Sequence, residues 1–354
     1  MRVVDLRSDT FTKPSAEMWE MLKSLDNSKI GNDEFREDPT TNKLEEKAAK
    51  IVGKEAALYV TSGTQGNLVS LLSHTKPGDS VLVEEMCHIY RNEFYSATRI
   101  AGLNLNTYPS EKGVPSIDQL QNIIDGNKNI NSPIKVICSE NTHNYHAGAI
   151  LKPEFLKSIK LFAEKNQLKF HLDGARIFNA AVGLGIDVTE LTKHVDSVMF
   201  CISKGLSCPV GSLVAGTKTF VSEARKYRKM VGGGMRQVGI IASFGLVALE
   251  SSWINRLKED HKNAKNLAEG IERYELPIEV SKPDTNIVII TVPDSIRSGK
   301  VVRSLGNEGI FAFNIDKRKI RFVTHFGINE DDIEYSVKKI GQVLNKILSS
   351  NKNK

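Results

Sequence analysis

Cysteine is scarce. The chain has four in 354 residues, Cys87, Cys138, Cys201 and Cys208, each in or beside an apolar stretch and none in a CxxC pair. That excludes a disulfide scaffold and leaves no zinc-ligand spacing. Reduced, mostly buried thiols are expected, in a cytoplasmic protein without a metal site. Long apolar runs are also missing: none approaches the length of a membrane span. The opening Met1-Arg2-Val3-Val4-Asp5 meets charge too early for a signal peptide. There is no repeat and no low-complexity linker. Neither charge sign dominates: 48 Lys and Arg against 42 Asp and Glu leave a net +6, too little at this length to call for nucleic acid. A 40% hydrophobic and 25% charged composition is that of a globular protein, with chain enough for one large domain or two ordinary ones. The polar end, Ser349 to Lys354, is expected to fray.

What is present is an alternation of short β-branched runs and helical patterns. Tyr59–Thr61, Val81–Val83, Ile134–Cys138, Phe170–Leu172, Ser197–Cys201 and Val210–Ala215 read as strands, most of them apolar enough for burial on both faces. Helical patterns lie between several of them, at about Gln65–His74 and at Pro153–Asn166. This is the α/β pattern of a largely parallel sheet covered by helices. From about Ile240 the pattern changes. One long helical stretch through Leu246, Trp253 and Leu257 toward Ile271 leads to strands at Asn286–Ile290 and Ile320–Val323. A helix near Lys300–Asn307 lies between those strands and another begins at Glu330. The expected division is therefore a large domain over 1–250 and a smaller α+β domain over 251–354.

Three constellations can carry chemistry. Thr61-Ser62-Gly63-Thr64-Gln65-Gly66-Asn67 is a small-residue turn between strand and helix. Backbone N–H groups at the helix start make it a phosphate cradle or, read plainly, an ordinary capped helix. It has neither the Walker nor the GxGxxG spacing. Asp173, at the carboxyl end of its strand, sits where α/β sheets bind ligands; it can hold a protonated ring nitrogen or merely cap the next turn. Lys204, followed by Gly205 at another strand end, is a surface loop lysine or an amine poised to attack a carbonyl carbon. Together, a phosphate cradle, a strand-end acid and a strand-end lysine are the set that pyridoxal phosphate requires.

The chain resembles the low-specificity L-threonine aldolases, and does so along nearly its whole length. The motifs are Asp5-Leu6-Arg7-Ser8-Asp9-Thr10, Glu37-Asp38-Pro39-Thr40, Thr61 to Asn67, Glu140-Asn141-Thr142-His143-Asn144, and His171 to Asn179. They continue with Ser203-Lys204-Gly205-Leu206, Pro209-Val210-Gly211-Ser212, Arg228-Lys229-Met230, Gly232-Gly233-Gly234-Met235-Arg236-Gln237 and Arg321-Phe322-Val323-Thr324-His325. The resemblance implies the aspartate-aminotransferase-like fold type I of pyridoxal-phosphate enzymes, with a mostly parallel seven-stranded sheet in the large domain. It implies cleavage of L-threonine and L-allo-threonine to glycine and acetaldehyde; the alternative is another lyase or racemase of related amino acids on the same cofactor. Lys204 would carry the cofactor, Asp173 would pair with its ring nitrogen, and Gly63 and Thr64 would hold its phosphate with help from Arg236. Lys229 would approach from a neighbouring subunit, so the active unit would be at least a dimer and, as a dimer of dimers, a tetramer. His88 would stack on the cofactor ring, and His143 is a candidate acid or base; a water oriented by both is the other option. Ser8, Arg176 and Arg321 would bind the substrate carboxylate, and residues 1–14 would contribute to that site. Small-molecule amino acids, not nucleic acid or membrane, are the expected partners.

The chain departs from the family pattern in two places. Gly31 to Asp38 reads GNDEFRED where GDDVYGED is usual, so Phe35 stands for a tyrosine and Arg36 for a glycine. After Asn144 come Tyr145 and His146, where relatives carry small residues. Either the substrate pocket is narrowed or the loop is simply variable.

Overall fold

The protein is described by a computed structural model covering residues 2–127 and 132–352. Seven strands form its main sheet: β1 (Ala56–Val60), β2 (Ser80–Glu84), β3 (Asn104–Tyr108), β4 (Ile134–Glu140), β5 (Lys169–Asp173), β6 (Ser197–Cys201) and β7 (Ser212–Gly216). Their order is β1-β7-β6-β5-β4-β2-β3. Six run parallel, and β7 alone pairs antiparallel with both neighbours. β2, β6 and β7 are buried at every position, which is why they read as unbroken apolar runs. The sequence reading has no counterpart for β3. Its Asn-Leu-Asn-Thr-Tyr lies at the sheet edge and is buried only at Tyr108, so no apolar run marks it.

The helices cover the sheet for legible reasons. α1 (Ala16–Lys23) is capped by Ser15. α2 (Pro39–Ile51) begins with Pro at its first turn, and the Asp38 carboxylate accepts the Thr41 N–H at 2.8 Å. α3 spans Gly63–His74, starting two residues before the expected Gln65 because Ser62 is the cap. α4 (Pro153–Lys165) buries Leu156, Ile159, Phe162 and Ala163, one stripe at helical spacing. Each large side chain there contributes about 1.5–3 kcal/mol by leaving water.

The single long helix expected from Ile240 is broken into three: α5 (Gly239–Ala248), α6 (Ser251–Asn255) and α7 (Leu257–Glu272). Glu250 is extended, at φ −75° and ψ 142°. The break lets the two long segments face different partners. α5 packs on α1 and α2, with Phe244 edge-on to Trp19 at 5.4 Å, whereas α7 turns toward the second core.

That second core is built on an antiparallel sheet of β8 (Glu279–Val280), β9 (Ile287–Thr291), β10 (Phe313–Asn314) and β11 (Lys319–Val323), in the order β8-β9-β11-β10. It is covered by α7 and a helix at Ser298–Asn307, and the last helix, α8 (Glu330–Lys352), packs on both of these helices. A two-residue strand at Val4–Asp5 pairs in parallel with Ile310–Phe311, and Val4 and Leu6 are buried in this core. The start of the chain is thereby fastened to the second sheet, which holds Ser8 and Asp9 beside β9 and β11. α8 runs through most of the polar end expected to fray; Asn353 and Lys354 lie outside the described residues. All four cysteines are free and buried. No helix among the described residues is long and apolar enough to cross a membrane.

Candidate active site

The carboxyl ends of β1, β2, β4, β5 and β6 meet at one edge of the sheet. Ser62, Glu84, Glu140, Asp173 and Lys204 lie at or just beyond those ends, the place where open parallel sheets bind ligands. At the start of α3, Ser62 Oγ accepts the Gln65 N–H at 3.1 Å. The N–H groups of Gly63 and Thr64 remain as first-turn donors with no acceptor within the helix. Packing at Gly63 is tight: a Cβ there would lie 3.0 Å from Cys201 Sγ and 3.2 Å from Met199 Cε on β6. The glycine loop after α9 (Lys218–Met230) crosses the same turn, and a Cβ on Gly233 would meet Gln65 Nε2 at 2.3 Å.

Asp173 is buried, and each of its oxygens accepts one hydrogen bond from the chain. Its Oδ1 accepts the Ala175 N–H at 3.1 Å, and its Oδ2 accepts Asn67 Nδ2 at 2.8 Å. Asn67, itself completely buried, gives its other amide hydrogen to Glu93 Oε1 at 2.8 Å, and its Oδ1 lies 3.1 Å from His171 Nε2. Burial pushes His171 down to about 4, so its ring is neutral at pH 7. With the hydrogen on Nε2, its Nδ1 accepts from the Ser197 hydroxyl at 2.9 Å, and Ser197 Oγ in turn lies 2.8 Å from His74 Nε2. Every buried group in this chain is satisfied with one consistent set of protons. His88 joins through its Nδ1, 3.0 Å from Glu93 Oε1. Burial opposes a charge on His88, but the bond to Glu93 and the charge of Asp173 outweigh it and raise its pKa. Burial also raises that of Glu93, against the pull of His88.

Lys204 follows β6. Its ammonium makes no hydrogen bond or ion pair among the described residues, and its charge acts on both Asp9 and His88. Arg176 and Arg321 meet at Asn144, whose Oδ1 accepts from Arg321 Nη1 at 2.7 Å and from Arg176 Nη1 at 3.4 Å. They differ in what balances their charge. Arg176 is gripped by Asp9 through two bonds of 2.7 and 2.8 Å. Burial would raise the carboxyl of Asp9, but Arg176 and Lys204 hold it far below the usual range. Arg321 has no carboxylate partner among the described residues. Its Nη2 reaches only the Arg7 carbonyl at 3.3 Å, and its Nε is buried without a partner. Burial, then the neighbouring Arg176, lowers it to about 10. A buried guanidinium left so is a site for an anion. Ser8 follows the Arg7 whose carbonyl Arg321 reaches; it is buried, with its Oγ accepting the Thr10 N–H at 3.2 Å.

His143 is wholly buried under the turn at Gly113, where a Cβ would approach its Cδ2 to 3.0 Å. Its Nε2 lies 2.9 Å from Glu84 Oε2, and its Nδ1 has no partner. Burial opposes its charge, but Glu140 and Glu84 prevail and raise its pKa. Lys229 and Arg236, both expected near phosphate, are drawn together on Glu34. Lys229 Nζ bonds Glu34 Oε1, and Arg236 Nη1 lies 2.6 Å from Oε2. Within the chain they do not meet Gly63 or Thr64. Sequence reading did not single out Asn67, Glu84, Glu93 or Asp9 as individual site residues. Asp9 and Asn67 had a usable signal, each lying in a quoted motif, whereas Glu84 and Glu93 had none.

Comparisons with known proteins bear on the family and the fold. The family described as β-eliminating lyase matches residues 5–295. The chain is 39% identical over 342 residues to an Arabidopsis thaliana protein named probable low-specificity L-threonine aldolase 2, covering 95% of each. It is 37% identical over 334 residues to the low specificity L-threonine aldolase of Escherichia coli strain K12, covering 94% of this chain and 96% of that one. The solved structure of a Leishmania major threonine aldolase superposes with a TM-score of 0.83 at 17% identity, covering 96% of this chain and 99% of the other; at that identity the likeness concerns the fold.

Proposed function

This chain belongs to the β-eliminating lyase family, among its low-specificity L-threonine aldolases, and from that membership we propose that it cleaves L-threonine and L-allo-threonine to glycine and acetaldehyde. The observation that carries the reading is Arg321, a buried guanidinium with no protein carboxylate beside it, opening onto the same site as Lys204 and Asp173. An amino-acid carboxylate supplies the missing anion.

The residues also fit pyridoxal phosphate. Gly63 and Thr64 offer N–H groups to a phosphate, Asp173 offers a carboxylate to a ring nitrogen, His88 an imidazole to a ring face, and Lys204 an ammonium without a partner. When bound, that cofactor supplies the sink for the electron pair left at Cα. The chain does the rest. Arg321, with Arg176 and Ser8, fixes the substrate carboxylate and so decides which bond at Cα is presented for cleavage. Asn67 holds the Asp173 carboxyl in place through its Nδ2 hydrogen. Glu84 holds the Nε2 hydrogen of His143, which leaves Nδ1 as the ring nitrogen that can take the β-hydroxyl proton directly or through one water. The same reading makes residues 1–250 the cofactor domain and 251–354 the smaller one, in a cytoplasmic enzyme of threonine breakdown and glycine supply. Association into a dimer of dimers is supported by large side chains left open on the single chain: Phe94 is 89% exposed, Met230 73% and Phe35 71%. Lys229 and Arg236 would then serve the phosphate across a subunit boundary.

The test is acetaldehyde release from L-threonine by purified protein with added pyridoxal phosphate, beside Lys204→Ala. Release by the wild type and none by the variant is expected. A wild type that shows the visible absorbance of a bound lysine–cofactor pair and releases no acetaldehyde would overturn the reading.

A further inference from the structure

Glu84, His143 and His146 bring three metal-binding atoms within 4.8 Å of one another. Glu84 and His143 are 59 residues apart in the chain, which is why no ligand spacing is visible in the sequence. His143 Nε2 lies 2.9 Å from Glu84 Oε2, and His146 Nε2 lies 3.5 Å from Glu84 Oε1. The two imidazole rings stand 4.3 Å apart at 50°. His146 Nε2 is buried and makes no hydrogen bond, while the residue as a whole keeps a partly open face by which an ion can enter. The carboxylate is oriented from behind: Ser110 Oγ donates to Oε1 at 2.9 Å and the Met86 N–H to Oε2 at 2.6 Å. Two imidazoles and one oriented carboxylate suit zinc, and do not suit magnesium or calcium, which take oxygen ligands. The other cluster of this kind, His88 with Glu93 and Asp173, is part of the site already described.

We propose that Glu84, His143 and His146 form an inhibitory zinc site. The inhibition, though not the binding, rests on the threonine-cleaving reading and on the role of His143 in it. Without metal, the Nε2 hydrogen of His143 is held by Glu84, so Nδ1 is the nitrogen that can present a lone pair. With zinc on Nε2, that one hydrogen moves to Nδ1 and Glu84 becomes a metal ligand. The ring keeps the same number of protons and the metal no electrons, but the base has lost its lone pair.

The experiment is a zinc titration of the holoenzyme against a chromophoric chelator, with X-ray absorption at the zinc edge and threonine cleavage followed in parallel. His146→Phe keeps a ring against His143 and removes a ligand; His146→Ala is the second variant. One zinc per chain is expected in the wild type, with nitrogen and oxygen neighbours at about 2.0–2.2 Å. Its affinity should be at least about tenfold above that of either variant. Turnover should fall as the site fills and return with EDTA, while zinc-free variants keep wild-type turnover and resist the same zinc. Equal affinity in wild type and variants overturns the site. Zinc that binds without slowing turnover overturns the inhibition. Absence of turnover in the zinc-free wild type refutes the aldolase reading alone, since binding and absorption are read without it.

Discussion

Replacing Asn67 by Asp changes one buried –NH2 to an oxygen at almost constant volume. In the native protein that nitrogen donates to Asp173 Oδ2 and Glu93 Oε1, both at 2.8 Å. In Asn67→Asp an anionic oxygen faces two carboxylates at that distance, a repulsion of about 6 kcal/mol per contact at an effective dielectric of ~20. Taking up a proton is cheaper. Neutralising a carboxyl of ordinary pKa about 3.9 at pH 7 costs about 4 kcal/mol, so the variant folds with a proton that its unfolded chain lacks. The raised group therefore costs nothing in acid, and its penalty grows as pH rises above about 4. The gap in unfolding free energy between wild type and Asn67→Asp should be about 4 kcal/mol at pH 7. It should shrink by about 2.7 kcal/mol on going to pH 5, at 1.36 kcal/mol per pH unit. Urea unfolding at both pH values, with equal pyridoxal phosphate, reads this directly. Asn67→Ala, which loses the hydrogen bonds without adding a carboxyl, is the control and should show a weaker pH dependence than Asn67→Asp. A gap for Asn67→Asp that is the same at pH 5 and pH 7 would refute the placement of Asn67 between the two acids.

Other outcomes follow from the same geometry. Asp9→Asn breaks a buried pair and should cost about 3–5 kcal/mol at pH 7. Because the Asp9 pKa is depressed in the folded protein, its contribution is fully present above about 3.8 and lost as pH falls through the folded value, so the variant should lose less stability in acid than the wild type. Arg321→Met should lower kcat/KM for threonine about 10- to 100-fold, the worth of a charge-assisted pair. Its unfolding free energy should equal or exceed that of the wild type, because an unpaired buried charge is gone. Glu93→Gln should lower the pKa of His88, read by NMR titration of the ring. The His88 pKa is raised in the folded protein, so its pairing with Glu93 stabilises the fold below about 6.5 and fades as pH rises through the folded value.

Composition and local pattern carried a good part of this protein. The runs at β2, β6 and β7 were legible because strands buried on both faces have no polar alternation to hide them, and Asp38-Pro39 or Ser62-Gly63 announce helix starts through their own backbone chemistry. Lys204, Asp173 and the cradle residues could be read together because each is a rare residue type at a strand end. The edge strand β3 was not legible: a strand that is paired on one side and open on the other has no need of apolar side chains. Nor was the break at Glu250, since residues 240–271 keep helical spacing across it and only the direction of each partner core sets where the helix must turn.

The sequence by itself thus determined the fold class, the order of elements and the few residues whose chemistry is unusual, because those depend on short-range propensity and on residue type. Only the tertiary structure decided which charges balance which. That Arg176 is satisfied by Asp9 while Arg321 is not, that Asn67 ties Asp173 to Glu93, and that His146 comes to Glu84 all depend on contacts between distant segments. Charge and hydrogen bonding act over a few ångströms of space, and the register of β4 on β5 and the fastening of Val4–Asp5 to the second sheet set those distances.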